Sequence, residues 1–284
     1  MRRRAQRPHG GPVRINTRST QLSGLRDVFP GEYATATTFG KQPISYLGTF
    51  DTFGAVRPDP ILGVFPQNNQ AGANRDGLIL PAPGGAWGST TDPYTISLWA
   101  YENQAPGAPR GLFSMGTPSW SLSLGHSVST PGAFRASVVT TSGGAAQFNT
   151  GETPVYPEFV WHHIAVVWNP PSGLFLYVNG TLQASNTTAT TTLRDVSDMR
   201  VYGNTTDANG WDGSIADFRV YRRAFTAAEV WNLRADPWSL YALPRRVYAK
   251  VGAGGVSLSP GVYAAALTGQ GVHLGFTINM PDEL

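Results

Sequence analysis

The sequence predicts an all-β protein: an antiparallel β-sandwich with one short late helix and a short β-rich C-terminal extension. Three observations carry this. Over 284 residues, Gly (33) and Pro (22) are abundant and only 14% of positions are charged. That composition suits short strands joined by turns and argues against helical bundles. Several β-forming runs alternate polar and apolar residues, as strands with one buried face do. The third observation is a hairpin. Leu174–Val178 and Thr181–Ser185 flank Asn179-Gly180, a dipeptide that supplies the two positive-φ positions of a tight primed turn.

In chain order, residues 1–24 read as a polar, Arg-rich arm, 25–244 as the sandwich and 245–284 as the extension. Between Val28 and Leu80, runs such as Ile44–Phe50 and Ile61–Phe65 suggest edge strands, and Asn68–Asp76 a polar loop. Thr95–Tyr101 is expected as a half-buried strand, and Ser119–Leu124 and Phe134–Val139 repeat its alternation. Trp161–Trp168 is a longer run whose centre is apolar enough to be buried on both faces. Thr226-Ala-Ala-Glu229 is a capping-box pattern opening a helix. Val230, Trp231 and Leu233 supply its apolar face, and Pro237 ends it. Evenly spaced strands with one late helix indicate a sandwich of jelly-roll type. After the flexible Gly252–Gly255 link, Val256–Leu258, Val262–Leu267 and Val272–Ile278 are short β segments. They make too little core to stand alone, so they must pack on the sandwich or pair with another subunit.

The net charge of +3 is asymmetric. Arg2, Arg3, Arg4, Arg7, Arg14 and Arg18 precede the first acid, Asp27. Without those six, fifteen basic residues face eighteen acidic ones, a formal −3. The arm is therefore expected to order only against a partner surface, an acidic one by preference. Nucleic acid is the weaker option, because no aromatic residues interleave the arginines. No apolar run is long enough to cross a membrane as a helix, and no secretory signal is expected.

Cysteine is absent, which excludes disulfides and thiolate chemistry. The five histidines form no metal-binding array. His162 and His163 are adjacent on a strand and point to opposite faces, so one is expected packed and the other at the surface. The glutamates Glu32, Glu102, Glu152, Glu158, Glu229 and Glu283 fall in no paired array of the kind glycoside hydrolysis requires. No Gly-x-Ser-x-Gly elbow occurs. The expectation is a protein that is not an enzyme.

Four stretches occur together in order: Thr95-Ile-Ser-Leu-Trp-Ala100, Trp161-His-His-Ile-Ala-Val-Val-Trp168, Leu176-Tyr-Val-Asn-Gly180 and Gly213–Glu229. The set resembles the concanavalin A-like, laminin G-like jelly rolls, a superfamily that includes the pentraxins, over roughly residues 75–235. The flanking Gly11–Asn16, Asp236–Tyr241 and Pro244–Tyr248 resemble laminin G-like proteins encoded by tailed bacteriophages. The resemblance implies a virion structural protein, such as a head decoration, head fibre or tail-fibre component. Its partners would be other virion subunits, reached through the arm and the C-terminal strands, and it would form a homo-oligomer. The alternative is a carbohydrate-binding module at an extracellular or cell surface.

Sugar binding would use loop aromatics to stack on a pyranose, with Asn and Asp holding hydroxyls. Trp87, Trp120, Tyr156 and Trp211 are loop aromatics, while Trp99, Trp161 and Trp168 are expected in the core. Trp211 with Asp207, Asn209 and Asp212, together with Trp87, is the expected site. No cofactor is expected. Calcium in the oxygen-rich loop Asp207–Asp212 is the one candidate. Related domains often read Gly-x-Ile-Asp-Glu-Val where this chain has Ala216 in place of the first acid.

Overall fold

In the computed structural model the described residues are 14–16, 18–29, 45–47, 54–59, 63–68, 77–80, 82, 85–102, 111–116, 121–127, 129–141, 146–189, 191–201, 211, 213–237, 239–242, 246–247 and 276–277. Period-two alternation builds two antiparallel sheets. The first runs Thr181–Asn186, Gly173–Val178, His162–Asn169, Tyr94–Glu102, Gly213–Tyr221, Gly63–Asn68 and Gly54–Asp59, with Leu25–Phe29 also paired to Gly213–Tyr221. The second runs Ala146–Asn149, Phe134–Thr140, Leu122–His126, Gly111–Met115, Met199–Val201, Gly77–Leu80 and Ser45–Leu47. The expected sandwich is formed, and strands occur in both early segments where edge strands were predicted.

The sheets meet through one core. Ile96, Leu98, Ile164, Val166 and Trp168 of the first sheet face Phe113, Leu122, Leu124 and Val138 of the second. The Asn179-Gly180 turn has φ of 53° and 80°, as the primed turn requires.

The outer face of the first sheet is also covered, which corrects the half-buried expectation for Thr95–Tyr101. Ala165, Val167, Tyr177 and Tyr221 pack there under Phe225, Val230 and Leu233. His163 is consequently buried, at 1% exposure, and His162 is buried on the inner face, at 7%. The expectation of one surface histidine fails because the helix covers that face.

The helix spans Ala227–Ala235 with the capping box in place. The Thr226 hydroxyl accepts from the Glu229 N–H, and the Glu229 carboxylate accepts from the Thr226 N–H at 2.8 Å. Arg223 donates to the same carboxylate at 2.6 Å. Thr226→Ala should cost about 1 kcal/mol of stability, read from urea unfolding at constant m-value. Val230 and Leu233 are buried as expected, but Trp231 is 48% exposed. Trp99 and Trp161 are only partly buried, whereas Trp168 is fully buried.

The arm departs most from expectation. Arg14–Ile15 pairs with Tyr241–Ala242, and the Asn16 side chain donates to the Ser239 carbonyl at 3.0 Å. Gln21, 6% exposed, donates to the Asp236 carbonyl at 2.9 Å and accepts from Arg219. The described part of the arm is thus ordered on its own chain. Short polar side chains here find partners that a composition argument does not weigh. Of the expected tail strands, Phe276–Thr277 pairs with Arg246–Val247. The segments 256–258 and 262–267 lie outside the described residues.

Candidate functional site

Five strand ends converge at one end of the sandwich. Glu102 closes its strand on the inward parity of Leu98 and Ala100, and His126 does the same after Leu122 and Leu124. Phe134 and His162 open their strands, and Trp211 lies two residues before Gly213. A Cβ on Gly213 would sit 1.9 Å from the Tyr101 carbonyl, so only glycine lets the strand start there. The Trp211 indole N–H donates to that same carbonyl at 3.2 Å.

These groups form a cluster of rings. His126 lies 4.9 Å from Trp211 and 5.1 Å from Phe134, centroid to centroid. Tyr156 packs on both Phe134 (5.7 Å) and His162 (5.1 Å). The Glu102 carboxylate faces the His126 ring at 3.4 Å, both side chains being buried. Ala100, Glu102, Phe134, Tyr156, His162 and Trp211 leave a cavity of about 10 Å³, room for about one water and far too small for a sugar ring. His162 has its pKa lowered by burial, opposed by its hydrogen bond to the Pro157 carbonyl.

Outside the cluster lies a rim made by two loops. Ala133 bridges Val155, and the Tyr156 N–H donates to the Gly132 carbonyl at 3.1 Å. Glu152, on the surface, accepts from the Ser127 and Thr130 hydroxyls. Those bonds, Ser127 first, hold its carboxyl below the usual range, so it stays ionised near neutrality. Val155 (62% exposed) and Phe159 (56%) project from the same loop. Phe159 has φ of 59°, a conformation that costs a non-glycine residue energy and recurs at ligand sites.

The site expected from sequence is therefore redrawn. Trp87 and Trp211 are 0% and 1% exposed. Their rings fill the core and offer no face to a sugar, so substituting Trp211 would probe packing before it probed any ligand. Asp207, Asn209, Asp212 and Trp120 lie outside the described residues, as does the candidate calcium loop apart from Trp211. Of the expected loop aromatics that are described, Tyr156 alone is not fully buried. Asp217, the acid that remains in the Gly213–Phe218 stretch, is 5% exposed and paired with Arg219 at 2.6 Å. Sequence reasoning passed over Glu102 and His126, although counting by twos from Leu98 and from Leu124 places both on the inner face.

Two antiparallel sheets packed face to face and a late capped helix define a lectin-like jelly roll. The chain belongs to the concanavalin A-like lectin/glucanases superfamily, whose family model matches residues 73–231. No curated protein matches the sequence. Among solved structures, it is similar to the binding domain of botulinum neurotoxin DC in complex with SialylT, at 14% identity and a TM-score of 0.54. That match covers 75% of this chain and 51% of the other. The binding domain of botulinum neurotoxin serotype G is similar at 14% identity and a TM-score of 0.54, covering 75% and 50%. Trypanosoma rangeli sialidase, solved with the inhibitor DANA, matches at 14% identity and a TM-score of 0.52, covering 75% and 33%. The chain thus spans about half the length of the toxin binding domains and a third of the sialidase. At such identities the likeness shows the fold alone.

Proposed function

We propose that this chain is a non-enzymatic, glycan-binding jelly roll carried on a bacteriophage particle, with the rim around Tyr156 as its contact surface. The observation that carries the binding role is the loop 152–159, where an ionised Glu152 and the aromatic Tyr156 stand beside exposed Val155 and Phe159. A ring face and a fixed carboxylate acceptor are the two groups a pyranose needs, one for its apolar face and one for its hydroxyls. The toxin domain solved with SialylT lends the same reading to the fold. Binding fits better than cleavage. Glu102 is turned inward against His126 and Glu152 is engaged by two hydroxyls. The phage setting rests on the flanking resemblance at Gly11–Asn16 and Asp236–Tyr241 and on the arginines of residues 2–18.

On an array of bacterial surface polysaccharides, the intact protein should retain a subset of glycans. Tyr156→Ala and Glu152→Gln should each weaken that retention about tenfold, equivalent to about 1.4 kcal/mol. Silence across the array, or unchanged retention by both variants, rejects the binding role. Mass spectrometry of purified particles tests the setting separately, and absence of the chain from them rejects it.

A further inference from the structure

His162 sits behind the rim and joins it to a distant turn. The rim loop is held through its backbone by the Tyr156 N–H on the Gly132 carbonyl and the Phe159 N–H on the Glu102 carbonyl, each at 3.1 Å. Between these anchors, the Pro157 carbonyl meets His162 Nε2 at 2.9 Å. The other ring nitrogen, Nδ1, lies 3.2 Å from Asn179 Nδ2. One imidazole therefore links the loop 152–159 to the Asn179-Gly180 turn, and Tyr156 packs on the same ring at 5.1 Å.

The protons on this ring are fixed by its partners. The His163 backbone N–H donates to Asn179 Oδ1 at 3.1 Å, so the amide turns Nδ2, a donor, toward His162. Nδ1 must then be the bare acceptor. A carbonyl can only accept, so Nε2 must carry the proton that reaches Pro157. The two constraints fall on different nitrogens and demand the same neutral tautomer. Asn179 has φ of 53°, so the amide is presented by the tight turn that Asn-Gly itself builds.

A second proton has no place here. On Nδ1 it would face the Asn179 amide, donor against donor. Turning the amide over would set Nδ2 against the His163 N–H and only move the conflict. His162 is buried, so an imidazolium held there lacks water as well as a partner. Glu102 and Tyr156 share its cavity, and His126 stands beside Glu102. The Glu102 carboxylate faces His126 at 3.4 Å, and Tyr156 stays neutral because burial raises its pKa. The pKa of His162 itself is lowered, first by burial. The charged ring is accommodated by swinging out, which gives up both the Pro157 bond and the Tyr156 contact. We infer that His162 and Asn179 are positioning residues of the rim, and that proton uptake at Nδ1 frees the loop 152–159 and discharges its ligand. The ligand half of this inference rests on the glycan reading above.

Hydrogen exchange of the full chain, read by mass spectrometry and corrected for intrinsic rates, tests the positioning role without any ligand. From about pH 7 to about pH 5, the wild-type loop 152–159 should lose about tenfold more protection than the strand Tyr94–Glu102, which only global opening exposes. Asn179→Asp keeps the acceptor for the His163 N–H and sets a carboxylate oxygen on Nδ1, so the protonated ring is paired. Aspartate also tolerates the positive φ of the turn. Its loop should keep its protection at the lower pH. If that variant misfolds, His162→Gln, which takes up no proton in this range, should abolish the pH dependence of the loop. On a glycan retained at about pH 7, wild-type retention should fall about tenfold at about pH 5, while that of Asn179→Asp persists. A wild-type loop equally protected at both pH values, or an Asn179→Asp loop that opens with it, overturns the positioning role. Wild-type retention unchanged at the lower pH overturns the coupling to the ligand. The exchange result stands whatever the array shows, so the two readings fail separately.

Discussion

Arg219→Met should destabilise the protein by about 3–5 kcal/mol, because it leaves a buried carboxylate without its cation. Arg219 is 1% exposed and holds three separate parts of the chain. Its Nε donates to Asp217 at 2.8 Å, and its terminal nitrogens donate to the Gln21 side chain and the Pro237 carbonyl. Asp217 itself has φ of 50° at a break in the ladder between Ala216 and Arg219. The bulge thus turns both members of the pair onto the covered face. For a domain of this size the loss should lower Tm by about 10 °C. The double variant Asp217→Asn, Arg219→Met should recover part of it, since the stranded charge is then gone. If Arg219→Met alone unfolds within 1 °C of the wild type, the guanidinium does not organise this face.

Acid should weaken the fold well before its carboxylates titrate. His163 is neutral, its pKa pushed down to about 3 by burial and then by the charges of Arg219 and Arg234. Its Nε2 meets the Ser97 hydroxyl at 2.9 Å, and Trp99 lies edge-on at 5.3 Å. In the unfolded chain a histidine titrates near 6.5. Below that pH the unfolded chain takes up a proton that the folded one refuses. The stabilisation is therefore complete above about 6.5 and drains away as pH falls toward 3. Between pH 7 and pH 5 the loss from this one ring is about 2 kcal/mol. His162, also lowered, adds in the same direction. Urea midpoints measured from pH 7 to 5 should fall steeply for the wild type and more gently for His163→Gln. Parallel curves for the two proteins would refute the assignment.

What the sequence revealed follows from range. The Asn179-Gly180 turn and the Thr226–Glu229 cap are decided by residues within three positions of one another, and both are formed as read. Trp211 was harder, because a turn-rich neighbourhood suggested a loop. Yet Trp211, Gly213 and Ile215 share one parity, and Ile215 is in the core. Arg219 had no legible local partner beyond Asp217. Gln21 and Pro237 reach it only through the tertiary fold. The same distance hid the fate of the arm. Its arginines dominate composition, while Asn16 and Gln21, which fix it in place, look unremarkable in sequence.

The contact between Asn16 and Ser239 spans 223 positions, and this imposes an order of events on synthesis. The ladder from Arg14–Ile15 to Tyr241–Ala242 cannot close until nearly the whole sandwich has left the ribosome. Contacts of such separation carry a large loop-closure cost and form late. Until the arm docks, Arg219 on the outer face of the first sheet lacks its Gln21 partner. The nascent sandwich thus passes through a stage with a finished core and a buried guanidinium still short of one partner. That stage is when misassociation with neighbouring chains is most probable.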